Sequence, residues 1–198
     1  MDDILSYLYK NNDILIIGIT GGSCSGKSTF SKSIQNEFPK ESIILQQDNY
    51  FWDLSDVEDR EEYIRGANFD CPQAFNMELF IDHLKKLRDG KNIHCPIYDF
   101  ATSTYIGHKY IESKKIVIVD GILLLCIPEI LELLDYSIFI DIPDDIRYMR
   151  RQSRDIRERG YTHDMVVNQY NNSVRPMYDV WLEPYKERAD KIIKQLIV

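Results

Sequence analysis

Short apolar runs alternate along the chain with longer amphipathic segments. Runs rich in Ile, Val and Leu predict buried strands, because consecutive β-branched residues leave such a segment without a polar face. Segments with apolar residues every three or four positions and no internal Gly or Pro predict helices. The alternation of the two types predicts an α/β protein, in which a parallel sheet has helices on both faces.

The predicted elements can be given by residue number. The strands are expected at residues 14–19, 42–45, 116–119 and 136–140, with a closing strand at 191–197. The helices are expected at residues 27–38, 77–89, 144–158 and 162–170. Asn76 suits the N-cap of the second helix, where its side chain can accept a hydrogen bond from a main-chain N–H group, and Gly90 suits the position where this helix ends. Residues 49–68 are charged and weakly periodic, which predicts a long, partly mobile loop, and Pro176 and Pro184 predict breaks or kinks in the chain beyond residue 170.

Composition narrows the class of protein. A length of 198 residues suits one domain, taken here as residues 1–198. A net charge of −8 and a pI near 5.0 argue against a nucleic-acid binder. The apolar runs are too short to span a bilayer, and residues 1–12 are acidic where a signal peptide is basic. Four widely spaced cysteines without a C-x-x-C pair indicate reduced thiols. We therefore expect a cytoplasmic protein with neither nucleic-acid nor membrane partners.

The first predicted strand and helix are joined by Gly-Gly-Ser-Cys-Ser-Gly-Lys-Ser, a complete G-x-x-x-x-G-K-[ST] phosphate-binding loop. Its glycines let several main-chain N–H groups converge on one anion, at the positive end of the helix. The alternative, an ordinary Gly-rich turn, is disfavoured by the strand and helix around it. Cys24 is expected to contribute its main chain and not to act as a nucleophile. The candidate nucleotide-binding residues are Gly21, Gly22, Ser23, Cys24, Ser25, Gly26, Lys27, Ser28 and Thr29.

Two other predicted strands end near carboxylates. Asp120 directly follows one of them, which is the pattern of the residue that holds Mg²⁺ beside the Ser28 hydroxyl of a phosphate loop. Asp48 follows another, where a carboxylate can accept or orient the proton of an attacking hydroxyl. Each has a simpler interpretation as a turn residue, Asp120 with Gly121 and Asp48 with Asn49. The carboxyl ends of parallel strands form the ligand crevice, so we expect both near the phosphate loop.

An arginine cluster lies on the third predicted helix. Phosphoryl transfer needs cations around the oxygens on which negative charge spreads, and a movable helix can supply them on closure. The alternative is a solvated face paired with Asp144, Asp145, Asp155 and Glu158. The six arginines are Arg147, Arg150, Arg151, Arg154, Arg157 and Arg159.

In their order and spacing these motifs resemble the uridine kinases (uridine-cytidine kinases), within the phosphoribulokinase/uridine kinase group of P-loop enzymes. The resemblance rests on residues 21–28, 47–51, 68–75, 96–100, 120–125 and 150–177. It implies a P-loop NTPase-type parallel sheet with a small β-hairpin near 92–112 and a helical lid near 144–172. It also implies transfer of the γ-phosphoryl group of ATP or GTP, with Mg²⁺, to the 5′-hydroxyl of a ribonucleoside. A homo-oligomer, tetramer or dimer, is implied as well.

The resemblance also implies roles for single residues. Asp48 corresponds to the catalytic base and Asp70 to the carboxylate that binds the ribose 2′- and 3′-hydroxyls. Arg151 corresponds to a residue beside the sugar and Gln169 to another contact with the acceptor. The implied catalytic residues are Asp48, Lys27, Arg154 and Arg159, the last two from the lid.

The base-binding side departs from the family pattern. Tyr98 and Phe100 correspond to walls of the base pocket, with core packing as the alternative. Ser103 replaces a family His, and Tyr161 replaces a common Arg, so two polar groups that read a pyrimidine are missing. His108 in the same hairpin is a candidate substitute. Asp120 itself replaces the usual Glu, which predicts a contact to the metal through water.

Three functions are consistent with these observations. The first is a kinase of uridine or cytidine in pyrimidine salvage. The second is a kinase of another riboside, such as nicotinamide riboside or a purine riboside. The third is a nucleotide-binding protein or switch without this catalysis. The switch has little support, because the chain has no N-K-x-D and no D-x-x-G motif.

Overall fold

The computed structural model describes residues 13–194. The strands are Leu15–Gly21 (β1), Ser42–Gln46 (β2), Ile93–Asp99 (β3), Thr104–Ile111 (β4), Ile116–Asp120 (β5), Tyr136–Ile140 (β6) and Lys191–Ile193 (β7). The α-helices are Lys27–Glu37 (α1), Arg60–Gly66 (α2), Met77–Arg88 (α3), Pro128–Leu131 (α4), Asp144–Arg159 (α5), His163–Gln169 (α6) and Arg175–Trp181 (α7). A π-helical turn, Tyr170–Val174, joins α6 to α7.

Five strands form a parallel sheet in the order β2-β5-β1-β6-β7. In the central strand β1, Ile17 pairs with Ile118 of β5 on one side and with Tyr136 of β6 on the other. The remaining strands, β3 and β4, form the separate antiparallel hairpin expected near residues 92–112. Since β1 lies between two strands that come later in the chain, a crevice opens beyond its carboxyl end. The predicted fold class is confirmed.

Alternate residues of the central strands enter two separate cores. Ile16 and Val117 pack with Phe80, Leu84 and Leu87 of α3 on one face of the sheet. Ile17 and Ile118 pack with Ile34 of α1 on the opposite face. Each of these apolar side chains stabilises the fold by about 1.5–3 kcal/mol relative to an exposed position. Helices therefore cover both faces, as the continuous apolar runs predict.

The helix ends follow local signals in the sequence. The Asn76 side chain accepts a hydrogen bond of 3.1 Å from the Leu79 N–H at the start of α3. Just beyond the end of α3, Gly90 has a φ of +74°, a conformation that costs glycine little. Pro143 immediately precedes α5. The capping predictions for α3 are confirmed.

Residues 49–68 are more ordered than the weak periodicity suggests, and the predicted loop is wrong in part. They include α2, whose N-terminus is capped by Asp59 through a 3.0 Å bond from the Glu62 N–H. Phe51 and Leu54 are buried, and the Leu54 N–H donates to the Ser103 carbonyl in the hairpin. Irregularly spaced apolar residues anchor this segment to distant parts of the chain, which a periodicity analysis does not detect.

The C-terminal helices differ in detail from the prediction. The sixth helix ends at Gln169 instead of residue 170, and the chain stays helical through the π turn to Pro176, the second residue of α7. Pro176 lacks an N–H group and cannot donate to a carbonyl of the preceding turn, and the π irregularity lies directly before it, so the helix is disturbed here as predicted. Pro184 does follow the end of α7, as expected. The predicted closing strand is observed at Lys191–Ile193, whereas its last part, like residues 1–12, lies outside the described residues. Within residues 13–194 no helix combines the length and apolar character needed to cross a bilayer.

Candidate active site

A cavity of about 800 Å³ opens at the carboxyl edge of the sheet, between the phosphate loop, the hairpin and α5. A volume of this size is typical of small-molecule sites. Gly21, Gly22 and Ser25 belong to the loop and do not line the cavity. The other predicted site residues do: Ser23, Cys24, Gly26, Lys27, Ser28, Thr29, Asp48, Asp70, Tyr98, Phe100, Asp120, Arg151, Arg154, Arg159 and Gln169. The fold thus brings together residues from all parts of the chain.

The phosphate loop presents unpaired main-chain donors. Gly26, with a φ of +100°, directly precedes α1, which has neither a capping side chain nor an acidic residue in its first turn. The first N–H groups of a helix have no partner within the helix, so those of α1 remain open to an anion. The Lys27 ammonium group lies across the loop and donates to the Gly22 carbonyl at 3.0 Å. The loop therefore has the chemistry of a phosphate site.

Arg147 supports the loop from behind and does not line the cavity. It is buried, and its guanidinium group lies 4.0 Å from the centre of the Tyr178 ring. It also donates to the Ile142 carbonyl at 3.0 Å and to Asp144 at 2.8 Å. A side chain at Gly22 would meet this guanidinium group, which explains the need for glycine there. The lid interpretation of the arginine cluster is therefore wrong for Arg147.

Asp120 is the last residue of β5, and its carboxylate is buried beside the phosphate loop. Burial raises the pKa of Asp120 above its usual value, while Lys27 and a hydrogen bond from Ser28 oppose this effect. One carboxylate oxygen, Oδ2, is buried without a hydrogen-bond partner. A buried oxygen of this kind beside a serine hydroxyl fits a hydrated divalent cation, and both groups are hard oxygen ligands. Within the described chain no group of three or more His, Cys, Asp and Glu residues has metal-binding geometry.

Asp48 lies in the turn Gln47–Tyr50 that follows β2. The neighbouring Gln47 is completely buried, and its Oε1 accepts a 3.1 Å hydrogen bond from the Leu123 N–H. This bond ties the turn that carries Asp48 to the loop after β5, which begins directly after Asp120. Sequence reasoning missed Gln47, although a buried amide next to an active-site carboxylate has a clear positioning effect.

Asp70 is buried and lines the same cavity. Burial raises the pKa of Asp70, Arg151 lowers it, and the nearby Asp48 raises it further. The Ser173 hydroxyl donates to Asn68 at 2.8 Å and lies 3.5 Å from Asp70 Oδ2. Ser173 belongs to the π turn, a local helix irregularity that is frequent at functional sites. No sequence signal singles out Ser173, because its contact depends on the packing of the turn against residues 68–70.

Aromatic rings form the third wall. Tyr98 and Phe100 line the cavity, with ring centres 5.3 Å apart, and Phe51 lies 5.4 Å from Tyr98. Tyr98 is also part of an apolar cluster, so the core-packing interpretation and the pocket interpretation both describe it. Ser103 and Tyr161 line the same cavity, close to these rings. The Ser103 hydroxyl and the Tyr161 ring thus occupy the side of the site where the resemblance places base recognition.

The candidate substitute His108 does not take part in this wall. It lies on β4 opposite Pro96, is exposed, and is not among the residues that line the cavity. The base-facing wall therefore has no imidazole from this hairpin strand. Phe69 and Ile122, which sequence reasoning did not single out, complete the apolar lining.

The five arginines of α5 other than Arg147 divide into two groups. Arg150, Arg151, Arg154 and Arg159 line the cavity. Arg157 points away, with a side chain that is 74% exposed and an ion pair of 2.5 Å with Glu158. The lid interpretation thus fits four arginines, whereas the solvated-face interpretation fits Arg157.

Arg151 is the most extensively bonded of the arginines that line the cavity. Its Nη1 donates to the Ser23 hydroxyl at 2.8 Å, and its Nη2 donates to Gln169 Oε1 at 2.8 Å. Ser23 belongs to the phosphate loop and Gln169 to the end of α6. One guanidinium group therefore connects the anion-binding side of the cavity to the opposite side.

Comparison with known proteins agrees with this geometry. A uridine kinase of Ligilactobacillus salivarius is 43% identical over 188 residues, 94% of this chain and 87% of that protein. A uridine kinase of Clostridium botulinum is 46% identical over 183 residues, 91% of this chain and 88% of that protein. The fold matches phosphoribulokinase from Rhodobacter spheroides with a TM-score of 0.72 at 14% identity, over 93% of this chain and 71% of that one. The profile of the Phosphoribulokinase / Uridine kinase family matches residues 16–198, and the chain belongs to this family.

Proposed function

We propose that this protein is a uridine kinase, which transfers the γ-phosphoryl group of ATP or GTP to the 5′-hydroxyl of uridine or cytidine. The observation that carries the proposal is a single cavity that is lined both by the phosphate loop and by the carboxylates Asp48 and Asp70. The relatives named uridine kinase, at 43% and 46% identity, support the same activity.

The donor triphosphate is bound by the main-chain N–H groups of the phosphate loop. Lys27 neutralises charge as the bond to the γ-phosphoryl group breaks. Ser28 and Asp120 are the residues that would hold Mg²⁺, and the unpaired Asp120 oxygen supports a contact through water. When bound, this cation neutralises phosphate charge and orients the phosphoryl oxygens.

The acceptor is bound by the other half of the cavity. Asp70 accepts hydrogen bonds from the ribose 2′- and 3′-hydroxyls, which are strong because the acceptor is charged. Arg151 and Gln169 contact the acceptor nucleoside, and Tyr98 and Phe100 hold its base between aromatic surfaces. Asp48 accepts the proton of the 5′-hydroxyl as this oxygen attacks the γ-phosphorus.

The lid residues Arg154 and Arg159 complete the site. Their cavity-facing positions support contacts to the transferring phosphoryl group, where negative charge spreads over three oxygens. Movement of the helical lid 144–172 over the substrates would exclude water and limit hydrolysis of the donor.

A kinase of another riboside is the second candidate, and the base-facing wall favours it. Ser103 and Tyr161 line the cavity, and by the resemblance they correspond to the family His and Arg, so this wall would lack two groups that hydrogen-bond a pyrimidine. A site that has lost such groups discriminates less strongly between bases. Nicotinamide riboside and purine ribosides therefore belong in the test.

Formation of ADP or GDP over a panel of acceptors tests the proposal. Purified protein with Mg²⁺ and either ATP or GTP is combined with uridine, cytidine, adenosine, nicotinamide riboside or 2′-deoxyuridine, and products are identified by mass spectrometry. We expect the largest stimulation with uridine or cytidine, and a 5′-monophosphate as product. A larger stimulation by a different riboside would favour the second candidate. Slow GTP hydrolysis that no acceptor stimulates would contradict the kinase and indicate a switch.

A homo-oligomer, tetramer or dimer, and a cytoplasmic location complete the proposal. The four cysteines are all free, which supports a reducing compartment. Light scattering after size-exclusion chromatography would measure the mass of the assembly; a mass near 23.4 kDa at micromolar concentration would contradict an oligomer.

A further inference from the structure

Asp155 on α5 is completely buried, with 0% of its side chain exposed, and three arginines surround it. Its Oδ2 lies 3.1 Å from Arg151 Nε. Its Oδ1 lies 2.8 Å from Arg154 Nε and 3.5 Å from Arg159 Nη1. All three arginines line the cavity, whereas Asp155 does not. The carboxylate therefore lies directly behind the cations that face the site.

In this arrangement the unfavourable burial of a carboxylate and the repulsion between guanidinium groups offset each other. A buried carboxylate without partners is strongly unfavourable, and a negative side chain near the C-terminus of a helix opposes the helix dipole. Three guanidinium groups near one another repel, and Arg154 contributes to a lowered pKa of Arg159, after burial. A single buried carboxylate between them reduces this repulsion and leaves a net positive charge towards the cavity.

The contacts of Asp155 select particular atoms of its partners. Its Oδ1 accepts a hydrogen bond from Arg154 Nε and lies 2.8 Å from Arg154 Nη2, whereas its Oδ2 forms an ion pair with Arg151 Nε that is not a hydrogen bond. The outer nitrogens of Arg151 are thereby directed at Ser23 of the phosphate loop and at Gln169. A planar guanidinium group that faces a carboxylate at Nε and donates through both Nη atoms has a defined orientation. Asp155 thus determines where these donors point.

We propose that Asp155 is a positioning residue, which orients Arg151, Arg154 and Arg159 for phosphoryl transfer. The proposal rests on the proposed function and adds to it a residue that contacts neither substrate. Electrostatic stabilisation requires donors that are already in place when charge develops. Without the carboxylate, the three cations would separate and lose their common direction.

The test is the variant Asp155→Asn, which keeps the shape of the side chain and removes its charge. We expect kcat with uridine to fall by about 10²-fold, because a displacement of about 1 Å in positioning groups costs this much. The dissociation constant of the donor nucleotide, measured by fluorescence, should change less than about threefold, since main-chain groups of the phosphate loop dominate that contact. The matched control is Asp145→Asn, a carboxylate in the first turn of the same helix that does not line the cavity, with kcat unchanged.

A double-mutant cycle separates positioning from a purely structural role. Because Asp155 also contacts Arg151 and Arg159, Asp155→Asn should still reduce kcat in an Arg154→Gln background, but by a smaller factor than in the wild type. Equal factors in the two backgrounds would overturn the proposal, as would a folded Asp155→Asn protein with kcat within threefold of the wild type.

The same variants also distinguish two other outcomes, an Asp155→Asn protein that does not fold and a wild-type protein without kinase activity. If Asp155→Asn does not fold on its own, the double variant Asp155→Asn/Arg154→Gln is used instead, because it removes one negative and one positive charge together. Its kcat is compared with that of Arg154→Gln alone. A further loss of kcat then supports the proposal and equal kcat overturns it. A wild-type protein without acceptor-dependent ADP formation would instead refute the proposed function, so the two failures are distinguishable.

Discussion

The two sides of the cavity are built in different ways. The phosphate loop is one continuous segment, and its donors are main-chain N–H groups at the start of α1. The acceptor side combines side chains from the turn after β2, from residues 68–70, from the hairpin and from α5 and α6. Binding by main-chain groups depends on loop shape, whereas binding by side chains depends on the packing that places each of them. Single substitutions should therefore affect the acceptor side far more selectively than the donor side.

The largest effect is expected from Asp48→Asn. Loss of a general base typically slows turnover by about 10²- to 10⁴-fold. Binding of the donor nucleotide should stay within about threefold, because the phosphate loop is untouched. Turnover and nucleotide titration measure the two quantities, with the exposed Asp56→Asn as control. Turnover of Asp48→Asn within a few-fold of the wild type would show that Asp48 is not the base.

On the donor side, Lys27→Ala should lower kcat by about 10²- to 10³-fold, the usual cost of losing one electrostatic group in a transition state. The loss should be equal for every acceptor, since Lys27 acts on the donor phosphates. Rates with uridine and cytidine test this equality, with the exposed Lys40→Ala as control. A change in the ratio of the two rates would mean that Lys27 also acts on the acceptor. It would contradict the separation of the cavity into a donor side and an acceptor side.

Asp70→Asn should act on the acceptor alone. Two charge-assisted hydrogen bonds to the ribose become neutral, so KM for uridine should rise by about 10- to 100-fold, with KM for the donor nearly unchanged. The preference for uridine over 2′-deoxyuridine should shrink in the same experiment. If that preference is unaltered, Asp70 does not bind the ribose diol.

The same variant should show a pH effect on stability. Burial raises the pKa of Asp70 in the folded protein above its value in the unfolded chain. Between these two pKa values the folded protein binds more protons, so this residue destabilises the fold as the pH rises. Asp70→Asn should therefore have a higher Tm than the wild type at pH 7, and the difference should shrink as the pH falls from the raised pKa of the folded protein to the pKa of the unfolded chain. A Tm difference independent of pH would contradict the burial argument.

The smallest effect is expected from Ser103→His, which introduces the imidazole found in the family. Ser103 has a φ of +55°, and His is among the residues enriched in this left-handed region. One added hydrogen bond to the pyrimidine should raise kcat/KM for uridine by about tenfold, with adenosine unaffected. An equal change for both nucleosides would indicate that the hairpin does not face the base.

The reliability of sequence reasoning differed between these regions for physical reasons. The strand, loop and helix from Leu15 to Glu37 follow from apolar runs and a motif without gaps, so adjacent residues carry all the information. Asp48 and Asp120 were predicted because the ends of parallel strands share one edge of a sheet. Gln47, Ser173 and the inward position of Asp155 were missed, since their partners lie far away in the chain or depend on which face of α5 is buried.

The sequence alone determined the α/β fold, the phosphate loop and the family, because these depend on local spacing and on motif order. Only the tertiary structure decided which arginines of α5 face the cavity, that Arg147 lies behind Gly22, and that Asp155 is enclosed by three cations. Burial of a charge depends on every group packed around it, and those groups are brought together only when the chain folds.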